Sequence, residues 1–213
     1  MRKDPTDPSF DNLQTLWPVR SDLSQTVATV DEMTAYIVFL RRINVGGSRR
    51  IKMADLRSAL SKAGIADPRT LLQSGNLVFQ SNGDERSVID IVETTIETTF
   101  GFGTTAIVRT AAQMTQILED HPFSASQVAD SRFAHVGFCR GAPSRQGFST
   151  LLELHEGPEE LVLGDREVFV YYPEGSGRSK ITNAALERHL ETAVTSRNWN
   201  TLTKIAALLG ASS

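Results

Sequence analysis

An apolar run at residues 36–40, YIVFL, is ended by Arg41-Arg42, broken at Gly46-Gly47 and followed by a new periodic segment. That succession restricts the fold more than any other stretch. A run of aromatic and β-branched side chains fits a strand covered on both faces. Met53, Leu56, Ala59 and Leu60 then recur at helical spacing, with Asp55, Arg57, Ser58 and Lys62 filling the polar side. The spacing predicts a strand over 35–42, a Gly-rich turn and a helix over 52–63, capped at its end by Gly64.

The same logic continues along the chain. Short strands are expected over 70–73 and 76–80, joined as a hairpin or bulge at Ser74-Gly75. After the Asn82-Gly83 turn, Val88, Ile89, Val92, Ile96 and Phe100 mark a helix that begins at Asp84. A strand over 104–109 completes the order β-α-β-β-α-β, the split βαβ pattern. A helix over 110–119, capped by Thr110, follows. The order then repeats: strand 132–140, helix 148–154, strands 160–163 and 167–172, helix 179–190, strand 192–195 and a closing helix over 198–209. The chain is thus expected to be α+β, with two tandem ferredoxin-like (β-α-β-β-α-β) subdomains, antiparallel sheets and an extra C-terminal helix. The expected division is an N-terminal extension at 1–32, a first subdomain at 33–110, a connecting helix and linker at 111–131, and a second subdomain with its closing helix at 132–213. Residues 1–32 hold Pro5, Pro8 and Pro18 and little periodicity, apart from one short helix expected at 12–17. Met33 reads as an alternative chain start.

Composition narrows the function classes. With 213 residues the chain can bury a substantial core. A net charge of −3 argues against a wholly basic nucleic-acid binder. The charge is uneven, however: residues 33–60 carry Arg41, Arg42, Arg49, Arg50, Lys52 and Arg57 against Asp55 alone. Cys139 is the single cysteine, so neither an intramolecular disulfide nor a cysteine-based zinc cage is available. This suits a cytoplasmic location. No apolar run is long enough to span a membrane. His121, His135, His155 and His189 are scattered, and no metal-binding spacing or nucleophile elbow occurs.

Several stretches together resemble a bacterial family known as domain of unknown function 1697: YIVFLRRINVGG, IKMADLRSAL, LLQSGNLVF, YYPEGSGRSKITNAALER and TSRNWNTLTKIAAL. The resemblance covers about residues 33–209. It implies a compact α+β protein with ferredoxin-like subdomains and implies no activity, cofactor or catalytic residue. Arg41 departs from the pattern, in which a small or apolar residue is expected, whereas Arg42 matches it.

Three constellations are candidates for function. The first is the turn from Arg42 to Lys52, with Asn44, Gly46 and Gly47. Its layout of strand, glycine turn and helix start suits an anion, and a tight turn with solvated arginines is the competing reading. Ser74, Gly75 and Asn76 accompany it, either as ligand contacts or as a self-satisfied turn. The second is EGSGRSK, where Arg178 and Lys180 add charge and Ser179 is a plausible N-cap. The third is SRNWN, expected to open the last helix. There Arg197 can form a two-pronged bond, Asn198 can cap, and Trp199 either stacks on a ligand or covers core. The leading expectation is a binding protein for an anionic ligand, either a phosphate-containing small molecule or a nucleic acid. An enzyme acting on a small phosphorylated or nucleotide substrate and a protein-interaction module are the alternatives. The basic segments are expected to meet in one electropositive recess.

Overall fold

The computed structural model describes residues 33–45 and 49–210, so the extension at 1–32 and the Gly46-Gly47 pair lie outside the described residues. The chain forms β1 (Thr34–Arg41), α1 (Met53–Lys62), β2 (Arg69–Leu71), β3 (Asn76–Ser81), α2 (Glu85–Phe100), β4 (Thr105–Thr110) and α3 (Ala111–Glu119). There follow α4 (Ala125–Ala129), β5 (Ala134–Cys139), α5 (Arg145–Leu154), β6 (Glu160–Leu163), β7 (Glu167–Tyr171), α6 (Asn183–Leu190), β8 (Val194–Asn198) and α7 (Trp199–Gly210). The strands make two four-stranded antiparallel sheets, ordered β2-β3-β1-β4 and β6-β7-β5-β8. The second order repeats the first.

The period-two alternation of strand side chains sets the layers. On β1, Tyr36, Val38 and Leu40 face one way and join Leu56, Leu60, Val88, Val92 and Ile96 of α1 and α2. Ile37 and Phe39 face the other way and join Val136, Phe138 and Phe169 of the opposite sheet. The Phe39 and Phe138 rings stack with centroids 4.1 Å apart and planes 17° from parallel. Helices α5 and α6 cover the outer face of the second sheet through Phe148, Leu151, Leu186 and Leu190. The result is a helix–sheet–sheet–helix sandwich, with α3 and α7 closing the inter-sheet core through Met114, Ile117, Leu202 and Ile205. The double burial of YIVFL follows from its place in a central strand.

Local signals explain most boundaries. Asp84 caps α2 by accepting from the Ser87 amide, and Gly101 ends it at φ 75°. Thr110 and Gln113 form a capping box at α3, as do Ser124 and Gln127 at the short helix α4. Three expectations are corrected. Helix α5 begins at Arg145, capped by Ser144, because that side chain reaches the Gly147 amide. Helix α6 begins at Asn183 with Thr182 as its cap; Ser179 instead accepts from the Ile181 amide and shapes the preceding turn. Ser196 and Arg197 belong to strand β8, paired with Gly137 and Val136, so the last helix opens only at Trp199.

Two buried arginines lock the sheets together reciprocally. Arg109, on β4, is 1% exposed and reaches the second sheet. Its Nε donates to Glu167 Oε1 (2.7 Å), Nη1 to the Val108 carbonyl (2.7 Å) and Nη2 to the carbonyls of Cys139 (3.0 Å) and Arg166 (2.6 Å). Arg197, on β8, reaches the first sheet. Its Nε donates to Asn76 Oδ1 (2.5 Å), Nη1 to Thr195 Oγ1 and the Ser196 carbonyl (both 2.9 Å), and Nη2 to the carbonyls of Leu40 (3.2 Å) and Ser74 (2.9 Å). Each guanidinium lies over the phenylalanine of the opposite sheet: Arg109 over Phe138 at 5.6 Å and Arg197 over Phe39 at 5.5 Å. Register agrees, since Phe39 pairs with Asn76 and Phe138 with Glu167.

A second reciprocal pair ties strand ends to helices across the sandwich. Arg41 bonds Glu187 of α6 through both carboxylate oxygens. Arg140, which follows β5, bonds Glu93 of α2 at 2.5 Å. Each glutamate also accepts a strand amide: Glu187 that of Val194, and Glu93 that of Ala106. Arg41, the departure from the family pattern, is thus a structural bolt. Partial burial raises the Glu187 pKa, but Arg41, the Val194 amide and Arg42 more than offset this, leaving it below its ordinary value of 4.5. Because the folded pKa is depressed, the stabilisation is present above 4.5 and lost as pH falls through the lower folded value. The stability gap between wild type and Glu187→Gln, measured by urea titration, is expected to stay nearly constant from neutrality down to the unfolded value of 4.5 and to narrow below it.

Candidate functional site

The loop from Arg42 to Lys52 is built by one amide side chain. Asn44 Nδ2 donates to the carbonyls of Ile51 (3.1 Å) and Gln73 (2.7 Å), and its Oδ1 accepts from the Ile51 amide (2.8 Å). Its backbone amide also meets the Arg49 carbonyl at 3.1 Å. Arg42 and Asn44 take left-handed φ values of 56° and 55° at the strand exit, a conformation that asparagine tolerates better than most residues. Asn44 therefore shapes the loop and docks it on the β2–β3 turn, and its amide is committed to backbone partners.

Other expected ligand contacts are committed in the same way. Asn76 is fully buried; its Nδ2 donates to the Leu71 carbonyl and Ser74 Oγ, and its Oδ1 accepts from Arg197. Gly75 stands at φ 76°, where an added Cβ would lie 2.6 Å from Ile43 and 2.9 Å from Leu40, so only glycine fits. Arg197 uses all five of its N–H donors inside the protein. Burial pushes its pKa down to about 10, which leaves it charged at neutral pH. Asn198 caps α7 by accepting from the Thr201 amide. Trp199 packs edge-on to His121 and Phe123 in the core, which decides between its two readings. Cys139 is buried, and burial pushes its thiol up to about 12, far from the range of a nucleophile.

The residues left facing solvent are Arg42, Lys52, Ser74, Arg178 and Lys180. They do not share one recess. Arg42, Asn44, Gln73, Ser74, Asn183 and Ser196 line a hollow of about 430 Å³, walled on its inner side by Arg197. Asn44, Arg50, Lys52, Asp55, Gln73 and Phe100 line a second, of about 530 Å³. The two adjoin along Asn44 and Gln73. Arg178, Ser179 and Lys180 line a third hollow that has no lining residue in common with these. The expected single gathering is therefore corrected to a pair of adjoining hollows around the loop and a separate one elsewhere.

Comparing the two halves shows why the first hollow is open. In the second half, one of the carbonyls that Arg109 reaches belongs to Arg166, whose guanidinium bonds Glu85 at the start of α2 (2.6 and 3.0 Å) and the Arg140 carbonyl (2.9 Å). In the first half, the corresponding carbonyl that Arg197 reaches belongs to Ser74, and the first residue of α6 is Asn183. An arginine–glutamate pair is thus replaced by a hydroxyl and an amide. The corresponding loop also differs in length: residues 42–52 connect β1 to α1, whereas residues 140–144 connect β5 to α5. The longer loop carries the cations. The side chains of Arg49, Arg50 and Lys52 are exposed and have no hydrogen-bond or ion-pair partner among the described residues. The Arg42 side chain, 58% exposed, has Glu187, at 3.3 Å, as its one polar partner among the described residues. Asn183 and Ser196 were not among the expected site residues; comparison of the halves is the signal that finds Asn183, and Ser196 enters only as lining of the hollow. Among the described residues no cluster of side chains suits a metal, and no helix is long and apolar enough to cross a membrane.

An α+β chain of two stacked antiparallel sheets with these features matches a known family over residues 33–169, described as "Protein of unknown function (DUF1697)". The chain belongs to this family. The match ends before the EGSGRSK and SRNWN stretches. Among solved structures, the chain is similar to the conserved bacterial protein SP0830 from Streptococcus pneumoniae, with a TM-score of 0.65 and 24% identity over 83% of this chain and 99% of that one. That likeness concerns the fold. No curated protein matches the chain.

Proposed function

We propose that this protein binds a phosphate-containing ligand through the loop from Arg42 to Lys52 and the two hollows that flank it. One observation carries the reading. The long-range arginine contacts elsewhere in the sandwich are closed by a carboxylate or by carbonyls, while Arg49, Arg50 and Lys52 of this loop are exposed, with no side-chain partner among the described residues, and Arg42 meets Glu187 only at 3.3 Å. Exposed cations without such partners favour an anion, because no folding contact competes for them. Cations flank Asn44 on both sides, Arg42 in one hollow and Arg50 and Lys52 in the other. That disposition suits a ligand with more than one phosphate, such as a single-stranded nucleic acid or a nucleoside polyphosphate.

We further infer that each half is a ferredoxin-like unit and that the pair is a tandem duplication. The repeated strand order and the reciprocal arginines support this. A lone buried thiol and a bacterial structural relative support a bacterial cytoplasmic setting.

Fluorescence anisotropy with labelled single-stranded DNA and RNA tests the reading, with pyrophosphate and nucleoside triphosphates as competitors. Three phosphate contacts give a logarithmic salt slope of about −2, so affinity falls roughly twenty-fold between about 50 and 200 mM salt. Replacing Arg49, Arg50 and Lys52 together by alanine should abolish that dependence. If neither strand nor polyphosphate binds the wild type, the reading fails. Displacement of the strand by pyrophosphate alone would assign the small-ligand form.

A further inference from the structure

The third hollow lies entirely in the second half and is independent of the loop site. We propose that it takes a phosphorylated sugar. Its volume is about 450 Å³, within the range of small-molecule sites. Leu151, Ile181 and Ala185 contribute apolar lining. Tyr172 anchors this wall by donating to the Ile181 carbonyl at 2.9 Å.

Another part of the lining is a tightly built turn. His155 Nε2 lies 3.3 Å from Glu159 Oε2 and 3.2 Å from the Glu159 carbonyl, with side chains only 11% and 9% exposed. Gly157 covers the pair: an added Cβ would lie 2.1 Å from Glu159 Oε2 and 2.7 Å from His155 Cε1. Glu159 is thereby held by its own turn, and it forms no ion pair with the cations of the same hollow.

Those cations are Arg178 and Lys180, whose exposed side chains have no hydrogen bond or ion pair among the described residues. Their loop is held at both ends, by the Gly175 amide on the Tyr172 carbonyl (2.9 Å) and by Ser179 Oγ, which accepts from the Ile181 amide (2.9 Å). Arg188 joins them from α6, where its contact is His189 Nε2 at 3.4 Å. Glu156 and Glu174 line the same hollow and are likewise free of partners among the described residues. Uncommitted cations and uncommitted carboxylates sharing one hollow with apolar side chains call for a ligand with both an anionic group and hydroxyl donors. Arginine and lysine take the phosphate; the carboxylates accept from sugar hydroxyls.

Thermal-shift and calorimetric titration of the full chain with ribose 5-phosphate and glucose 6-phosphate tests this, with ribose and inorganic phosphate as controls. The expected result is a rise in Tm with at least one sugar phosphate and a much smaller rise with either control. Arg178→Ala with Lys180→Ala should weaken binding by roughly tenfold or more, with unchanged circular dichroism. Arg50→Ala with Lys52→Ala should leave it intact, which separates this site from the loop site. The inference is overturned if no sugar phosphate binds, if inorganic phosphate binds as tightly, or if only the Arg50/Lys52 variant loses the response.

Discussion

Replacing Arg197 by methionine is expected to destabilise the protein by about 3–5 kcal/mol, lowering Tm by on the order of 10 °C. The side chain is 8% exposed and has no carboxylate partner. Its worth lies in the acceptors it satisfies. Without it, Asn76 Oδ1 and the Leu40 and Ser74 carbonyls lose their bonds to the opposite sheet. Each unpaired buried acceptor costs about 1–3 kcal/mol, less whatever water can reach it. Methionine keeps much of the bulk over Phe39, so the loss reports on hydrogen bonding more than on packing. Lysine at this position keeps the charge but offers fewer donors without the planar fork, and should fall between the two. Urea unfolding checks the series. A loss under about 1 kcal/mol for Arg197→Met would show that the reciprocal arginines do not hold the sheets together.

The matching replacement, Arg109→Met, is expected to cost a similar ~3–5 kcal/mol for a different reason. Here the stranded group is a charge. Glu167 is 7% exposed and would keep only the Arg166 amide as a partner. Burial drives the Arg109 pKa down, while Glu167 opposes that shift. Since much of the loss comes from the orphaned carboxylate, a second change should recover part of it. Arg109→Met combined with Glu167→Met is expected to be more stable than Arg109→Met alone, because a buried ion pair can often be exchanged for apolar side chains at little cost. Equilibrium unfolding of the two single variants and the double completes the cycle. A double variant as unstable as the sum of the singles would contradict this account.

The strands and helices were largely legible in the sequence because their signals are local. YIVFL announces a doubly buried strand, and Asp84 and Thr110 announce helix starts that their own neighbours confirm. The α6 boundary was harder to read. Ser179 and Thr182 both have the chemistry of a cap, and the turn that Ser179 makes with Ile181 decides between them. Arg197 illustrates the larger limit. Its partners lie 121 and 157 residues away, and nothing near SRNWN records that its donors are spent. The repeated strand order of the two sheets was legible in element order, while the residues at matching places differ. Asn76 does the work of Glu167, and Ser74 stands where the other half has Arg166. Of the candidate site, Arg42 and Lys52 were legible as exposed charge. Asn44, Asn76 and Trp199 have the right chemistry for a ligand, but the fold uses them internally.

The loop site is tested most directly by amide chemical-shift mapping in a ¹⁵N-labelled protein, titrated with a single-stranded DNA oligonucleotide and, separately, with pyrophosphate. The account predicts that at least one of them shifts the amides of Asn44, Lys52, Ser74 and Asn183 together, and that Arg50→Ala with Lys52→Ala abolishes the response. Silence at those four positions with both probes, or shifts confined to other surfaces, would contradict it.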